Sequence, residues 1–274
     1  RGSGDPTLMV AGENVQNFVD TTLDRIREIS GAIRRDTQIT DVINIGIGGS
    51  DLGARMVCAA LASFADGPRV HFAANIDGAD ITALMERLDT DSTAVIGVSK
   101  TLTTQEVIKE WVGRDNVHAR LYAVTVEEKR AVAFGAAERN ILPLRNWIGG
   151  RMSLWSAAGL AIAIAVGFDA FKAMLAGAKA MDAHFVDAPL ERNIPVMMAL
   201  LGVWYRNFWD FQAHAVLPYS YGLRKFPDYI QQLDMESNGK SVSRSGKELD
   251  YATGPVIFGE QGTNAQHAFF QLLH

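Results

Sequence analysis

The chain has 274 residues, of which 48% are hydrophobic and 21% are charged, a composition typical of a globular protein that buries a core. The net charge of −5 argues against nucleic acid and anionic membranes as partners. The single cysteine, Cys58, excludes an internal disulfide and fits a reducing compartment, so a cytoplasmic location is expected.

The first predicted element is an amphipathic helix at residues 15–34, where apolar side chains recur at helical spacing. Short apolar, β-branched runs then alternate with helix-like or turn-like segments. These runs lie at residues 42–47, 70–74, 94–98, 121–126 and, more weakly, 141–144. Near-continuous apolar strands that alternate with helices are typical of an α/β protein with a parallel, doubly wound sheet.

In the second half of the chain, the apolar residues follow a mostly helical pattern. Residues 153–211 predict successive helices, including apolar helical stretches at 168–185 and 194–209. A short strand is predicted at 256–258 and a helix at 263–273. The expected organisation is an N-terminal helical arm (1–37), a first α/β subdomain (38–150), and a helical region that leads into a second α/β domain (151–274).

Two motifs lie at predicted strand ends, where the active sites of such sheets occur. Gly46-Ile47-Gly48-Gly49-Ser50 lies between a strand and a helix, which suits either an anion at a helix start or a tight turn without a ligand. Asp51 stands where the dinucleotide fingerprint has its third glycine, so a nicotinamide cofactor is disfavoured. Ser99-Lys100-Thr101, with Thr104, offers hydroxyls and an ammonium to a phosphate, although the same residues would also cap a helix.

Three further segments each carry a candidate for chemistry. Arg151 follows Gly149-Gly150 before a predicted helix, where an arginine can stabilise an oxyanion or simply occupy a surface loop. Glu236 could act as a general base if burial tunes it, or be an exposed loop glutamate. Gln232 would share its face in a helix. His267, near the start of the last predicted helix, suits proton transfer or a half-buried structural position.

Taken in order, these segments resemble one family. Two longer segments, together with the upstream motifs, resemble phosphoglucose isomerases, and the resemblance extends from about Val15 to His274. The two segments are Gln231-Gln232-Leu233-Asp234-Met235-Glu236-Ser237-Asn238-Gly239-Lys240 and Gly259-Glu260-Gln261-Gly262-Thr263-Asn264-Ala265-Gln266-His267. The resemblance implies the sugar-isomerase (SIS) fold, a flavodoxin-like three-layer α/β/α architecture. It also implies interconversion of glucose 6-phosphate and fructose 6-phosphate, in glycolysis and gluconeogenesis, through ring opening and a cis-enediol.

The resemblance also assigns roles to residues. It implies catalysis by Glu236, His267 and Arg151, phosphate binding by Ser50, Ser99, Lys100, Thr101 and Thr104, and substrate contacts by Gly49 and Gln232. It implies no cofactor, and no cysteine, histidine or carboxylate cluster has metal-ligand spacing. It further implies a homodimer, with His267 contributed across the interface.

The sequence departs from the family in several places. Met152 and Leu102 replace usual aromatic residues, and the segment between Lys100 and Arg151 is short. Members of the family continue beyond the position of His274 and end with a lysine-bearing helix, so we expect a fragment with an incomplete second α/β domain. Two alternatives are a non-catalytic sugar-phosphate-binding regulatory module and an isomerase for another hexose 6-phosphate, such as mannose 6-phosphate. The presence of Glu236, Arg151 and His267 together argues against the first, and the motifs leave the second open.

Overall fold

The computed structural model of the chain describes residues 7–75, 77–100 and 120–273. It divides into two compact units, Arg1–Leu175 and Ala176–His274. The predicted divisions at residues 37 and 150 are not boundaries between these units. The first helix packs within the first unit, and the segment after residue 150 continues that unit as far as Leu175.

The first unit contains a parallel sheet of five strands in the order β4-β3-β5-β6-β7. Every residue of β3, β5 and β6 is buried, which explains why these strands are continuous apolar runs rather than alternating ones. The predicted doubly wound α/β sheet is confirmed at all five runs. The strands of the unit are β1 (Met9–Val10), β2 (Glu13–Asn14), β3 (Asp41–Ile45), β4 (Arg69–Ala73), β5 (Thr93–Val98), β6 (Leu121–Thr125) and β7 (Ile141–Pro143).

Helices cover the sheet and complete the layers. The amphipathic first helix, α1, begins after Asn14, whose side chain accepts a hydrogen bond from the backbone N–H of Asn17. It packs against the fully buried α5, which also contacts α2 and β4. Side chains of α3 and α4 pack against a separate cluster that includes Ile43, Ile45 and Val95. The helices are α1 (Val15–Arg35), α2 (Leu52–Ala60), α3 (Gly78–Met85), α4 (Glu128–Phe134) and α5 (Leu160–Val166).

The strand order determines where a ligand can bind. β3 lies between β4 and β5. The chain therefore passes from β3 to its neighbour on one edge, β4, and then crosses back to its neighbour on the other edge, β5. In open parallel sheets, the crevice outside the carboxyl ends of the strands at such a reversal is the usual ligand site. In this unit the crevice lies beyond Ile45 and Val98.

The second unit has a small parallel pair of strands and mostly short helices. Strand β9 confirms the strand predicted at 256–258, but its partner β8 was not predicted. The helix predicted at 263–273 is wrong as a single element, because it breaks at Phe269 into two pieces. The elements are α6 (Phe168–Asp187), which contains the division, α7 (Ile194–Val203), β8 (Ala213–Ala215), α8 (Phe226–Gln231), β9 (Val256–Phe258), α9 (Gly262–Ala268) and α10 (Phe270–Leu273).

The second unit exposes much apolar surface. No residue of α7 is buried, and Met198 and Leu200 are 67% and 58% exposed. The exposed apolar side chains continue beyond the helix through Trp204, Phe208, Trp209 and Phe211. Contiguous apolar surface of this kind usually marks a contact with other protein. Among the described residues, no helix is both long and apolar enough to cross a bilayer.

A buried carboxylate lies at the amino end of the sheet. Asp41 is 3% exposed, and it accepts hydrogen bonds from Arg69 Nε at 3.0 Å, Arg69 Nη2 at 2.8 Å and Thr40 Oγ1 at 2.8 Å. His71 Nε2 lies 2.7 Å from its Oδ1. Burial raises the pKa of Asp41, but the hydrogen bonds from Arg69, His71 and Thr40 outweigh burial and hold that pKa at about 2.

We expect Asp41→Asn to lower the free energy of unfolding by roughly 2–3 kcal/mol at neutral pH. The folded-state pKa of Asp41 lies below its ordinary value of 3.8, so this stabilisation is present above about pH 4 and is lost as pH falls toward 2. Urea unfolding at pH 7 and pH 2.5 measures the effect. The control Asp24→Asn, an exposed partner of Arg27, should cost at most about 0.5 kcal/mol. An equal loss for Asp41→Asn at both pH values would contradict the electrostatic origin.

Candidate functional site

The turn after β3 holds Ser50 at the ligand crevice of the first unit. Gly48 has a φ of +60°, and a Cβ on Gly46 would lie 2.9 Å from the carbonyl oxygen of Val98 in β5, so both positions favour glycine. Asn44, fully buried in β3, donates from Nδ2 to the carbonyl oxygen of Ser50 at 3.2 Å. The turn therefore lies directly against the end of the neighbouring strand.

Asp51 has a structural role beside this turn. It is 2% exposed, and its two carboxylate oxygens each accept from Arg55 Nε at 3.0 Å. This pair links the position before α2 to the first turn of that helix. Asp51, which stands at the position of the third glycine of the dinucleotide fingerprint, thus stabilises the start of α2.

Ser99 and Lys100 follow β5 at the same edge. The backbone N–H of Ser99 donates to the carbonyl oxygen of Val124 at 3.0 Å, which continues the pairing of β5 with β6. Lys100 is exposed, and its Nζ lies 3.4 Å from the carbonyl oxygen of Asn146, in the loop after β7. Thr101 and Thr104 lie outside the described residues.

Arg151 lies in a 3-10 turn, Gly150–Trp155, that begins just after Gly149. The sequence predicted a helix start here, and the regular helix α5 begins only at Leu160. The backbones of Gly49 and Gly150 are in direct contact, because a Cβ on Gly49 would overlap the carbonyl group of Gly150. Arg151 is half-buried, and its backbone nitrogen would lie 2.8 Å from such a Cβ. The arginine turn and the Ser50 turn therefore form one local structure.

Two cations stand near this edge despite the acidic chain. Lys100 and Arg151 lie on the segments that meet there. Nearby, Arg145 Nε and Nη2 donate to the carboxylate of Glu13 at 2.7 and 2.9 Å. The hydrogen bond to Glu13 raises the pKa of Arg145. A phosphate at the crevice would meet serine hydroxyls, backbone N–H groups and positive charge.

An apolar cavity of about 320 Å³ lies behind the arginine turn, between α1 and the segment after β7. Its lining includes Phe18, Trp147, Met152 and Trp155, and it includes neither Ser50 nor Arg151. A sugar phosphate needs many polar partners, so this cavity is unsuited to it.

In the second unit, Glu236 and Gln232 lie at the two ends of a π-helical turn, Gln232–Glu236, that continues α8. Four residues are slightly less than one π-helical turn, so the two side chains share a face, as predicted for a helix. The turn is fixed to β9 by the N–H of Ile257, which donates to Met235 Sδ at 3.4 Å. The burial expected to tune Glu236 is not found within this unit, where Glu236 is exposed. Lys240 Nζ donates to its backbone carbonyl oxygen at 2.8 Å.

His267 is the penultimate residue of α9 and is exposed. The prediction that it lies near the start of the last helix was wrong, because the helix breaks at Phe269. The preceding residue, Gln266, donates from Nε2 to Tyr219 Oη at 2.7 Å, and the ring of Tyr219 packs against Gly262. These contacts fix the helix and leave His267 at the surface of the unit.

The structure thus brings together Gly49, Ser50, Lys100 and Arg151 in the first unit, with Ser99 beside them. It holds Gln232 and Glu236 in one turn of the second unit, and His267 on another helix of that unit. Within the described residues there is no group of three potential metal ligands. Asn44 and Ser153 hold the turns of the first unit, and neither role was predicted from the sequence. A polar residue within the apolar run of β3 was an available signal for Asn44.

Comparison with known proteins identifies relatives of the whole chain. The family model described as "Phosphoglucose isomerase" matches residues 1–274. A glucose-6-phosphate isomerase of Chlorobium luteolum is 49% identical, over 98% of this chain and 52% of its own length. That of Brucella ovis is 48% identical, over 100% of this chain and 53% of its own length.

A solved structure supports the same relation. The crystal structure of a glucose-6-phosphate isomerase from Chlamydia trachomatis matches with a TM-score of 0.88 at 33% identity. The match covers 98% of this chain and 54% of that chain. The chain therefore spans about half the length of the curated relatives it matches.

Proposed function

Because the chain belongs to the phosphoglucose isomerase family, we propose that the protein containing it interconverts glucose 6-phosphate and fructose 6-phosphate. The observation that carries the proposal is the family match over residues 1–274. It is supported by the meeting of Ser50, Lys100 and Arg151 at the carboxyl edge of the parallel sheet. The single cysteine supports a cytoplasmic location for this activity.

In this proposal the sugar phosphate binds at the crevice of the first unit. Ser50, Ser99, Lys100, Thr101 and Thr104 hold the phosphate. Backbone N–H groups of the glycine turn and the start of α2 add to the favourable potential for an anion. Gly49 allows the substrate to approach the backbone closely, and Gln232 contacts the sugar.

The chemistry then needs ring opening followed by transfer of a proton from C2 to C1. His267 gives a proton to the ring oxygen as the C1 hydroxyl loses one, which opens the ring to the aldehyde. Glu236 removes the proton from C2, the C1 oxygen gains the negative charge, and Arg151 stabilises it. Glu236 returns the proton to C1 while the C2 hydroxyl passes its own proton to the C1 oxygen, which leaves a hydroxyl at C1 and a carbonyl at C2, the ketose. No cofactor is consumed, because the reaction is an internal redox exchange between adjacent carbons.

The direct test is an assay of the full chain that contains these residues. Rapid turnover of glucose 6-phosphate and fructose 6-phosphate, with slower turnover of mannose 6-phosphate, is the expected result. A preference for mannose 6-phosphate would favour the related isomerase. Binding of hexose 6-phosphates without turnover would instead favour the regulatory module.

We expect Ser50→Ala to raise KM for glucose 6-phosphate by roughly ten- to a hundred-fold, because it removes a hydrogen bond to a charged group. The substitution should change kcat by less than about three-fold, since the phosphate does not react. Ser63→Ala, at an exposed serine of the same unit, serves as the control. Thr104→Ala is predicted to resemble Ser50→Ala. A collapse of kcat at unchanged KM would remove these residues from the phosphate site.

We also propose that the protein acts as a homodimer in which His267 serves the site of the partner subunit. Two observations support this proposal. The second unit exposes an apolar surface that includes α7, and His267 is exposed at the end of α9.

Mixed dimers test this arrangement. Glu236→Gln and His267→Ala are each expected to be nearly inactive alone. In a mixed dimer, one of the two sites would combine Glu236 of the second variant with His267 of the first and would be intact. We therefore expect activity to return to about a quarter of the wild-type level if the subunits pair at random, and to about a half if all dimers are mixed. The assay follows turnover after the two variants are unfolded together and refolded. No recovery, with dimers demonstrated by light scattering, would place His267 in the same subunit as its Glu236.

A further inference from the structure

Two turns that carry different candidate functions are joined by one side chain. Ser153 is 4% exposed, and its Oγ donates to the carbonyl oxygen of Gly49 at 2.8 Å. The bond joins the turn of Arg151 to the turn of Ser50, more than a hundred positions apart in the sequence. It stands beside the direct backbone contact of Gly49 with Gly150.

Each turn is held independently of this bond. In the arginine turn, the carbonyl oxygen of Ser153 accepts from Ser156 Oγ at 2.6 Å and from the N–H of Ser156 at 2.8 Å. In the other turn, Asn44 donates to the carbonyl oxygen of Ser50 at 3.2 Å. Loss of the Ser153 hydroxyl would therefore leave both turns formed and in contact, but it would remove the hydrogen bond that holds one turn against the other.

The separation of the two turns matters for a substrate that is held at both ends. The phosphate and the reacting carbons of a hexose 6-phosphate are joined by a short carbon chain of limited reach, so the spacing of the two turns determines where Arg151 stands relative to C1 and C2. Misplacement by about 1 Å can cost about a hundred-fold in rate. We propose that Ser153 is a positioning residue, which sets Arg151 against the reacting carbons through its bond to the phosphate turn. This inference rests on the proposed function.

Ser153→Ala in the full chain is expected to lower kcat by roughly ten- to a hundred-fold with KM changed less than about three-fold. Ser153→Thr, which keeps the hydroxyl, should recover most of kcat. Ser153→Val should not, because valine has nearly the same shape as threonine but no hydroxyl. Ser30→Ala is the matched control: Ser30 is also buried, and its Oγ donates to the carbonyl oxygen of Ile26 at 2.6 Å within α1. It should lower the melting temperature without changing kcat.

A double-mutant cycle with Arg151→Ala separates positioning from stability. If Ser153 acts through Arg151, Ser153→Ala should cost no further kcat once Arg151 is gone, so the two effects should not add. Additive losses would overturn the proposal, as would a kcat for Ser153→Ala equal to that of wild type. Should Ser153→Ala unfold at the assay temperature, the Thr and Val pair decides the question, and equal kcat for that pair would also overturn it.

The same experiment keeps this inference apart from the proposed function. Wild-type protein that turns over no hexose 6-phosphate would refute both. If the wild-type protein is active and Arg151→Ala lowers kcat but Ser153→Ala does not, only the role of Ser153 is refuted.

Discussion

Glu236→Gln is expected to lower kcat for glucose 6-phosphate by roughly 10²–10⁴-fold, the usual contribution of a positioned general base, with KM changed only a few-fold. The amide keeps the size and hydrogen-bonding geometry of the carboxylate but cannot accept the C2 proton. Because the side-chain sulfur of Met235 links the π-helical turn to the N–H of Ile257 in β9 without involving Glu236, the substitution should not disturb the local fold. Steady-state kinetics in both directions measure the effect.

Isotope exchange makes this test specific for the proton-transfer step. Wild-type protein in deuterated water should incorporate deuterium at C2 of glucose 6-phosphate, and Glu236→Gln should not. The control Glu191→Gln changes an exposed glutamate of the same unit and should behave as wild type. Exchange that persists in Glu236→Gln would assign the base to another residue.

Arg151→Ala should lower kcat by roughly 10²–10³-fold, since it removes a positive group from the oxygen that gains charge in the enediolate. Arg151→Lys should fall between wild type and Arg151→Ala, because an ammonium keeps the charge but lacks the planar, two-pronged donor geometry. Affinity for an analogue of the planar enediolate should fall in parallel with kcat, whereas affinity for inorganic phosphate should change little.

The control for this series is Arg139→Ala, which removes an exposed arginine from the same unit. A result in which Arg151→Ala raises KM and the dissociation constant of phosphate, with kcat intact, would move Arg151 from the reacting carbons to the phosphate.

The first sheet could be predicted almost residue by residue, because buried parallel strands such as β3 and β5 are continuous apolar runs. The pair of β8 with β9 could be predicted only in part. Ala213, His214 and Ala215 include no Val, Ile, Thr, Tyr, Phe or Trp, the residue types that are enriched in strands, so nothing local marks β8 as a strand. The break between α9 and α10 falls at Phe269, without a glycine or proline to signal it.

The candidate site shows the same division between local and tertiary information. The rule that ligands bind at the carboxyl ends of parallel strands was enough to place Ser50 and Lys100 at one edge. The contact of Gly49 with Gly150, and the hydrogen bond from Ser153 that accompanies it, join segments about a hundred residues apart. No periodicity or spacing in the sequence encodes such a contact, because it depends on how the end of β7 returns to the sheet.

The wide turn that carries Glu236 has a consequence for the length of this segment. A π-helical turn contains one more residue than the α-helical turn it replaces, so deletion of one residue such as Leu233 could restore regular α-helical pairing after α8. Because the extra residue of a π-helical turn is absorbed within that turn, the deletion would leave the chain beyond it in nearly the same direction relative to α8. Glu236 would then keep its side of the helix, and the backbone would gain better hydrogen bonding. The direction of this one carboxylate therefore tolerates a difference of one residue in the length of the turn.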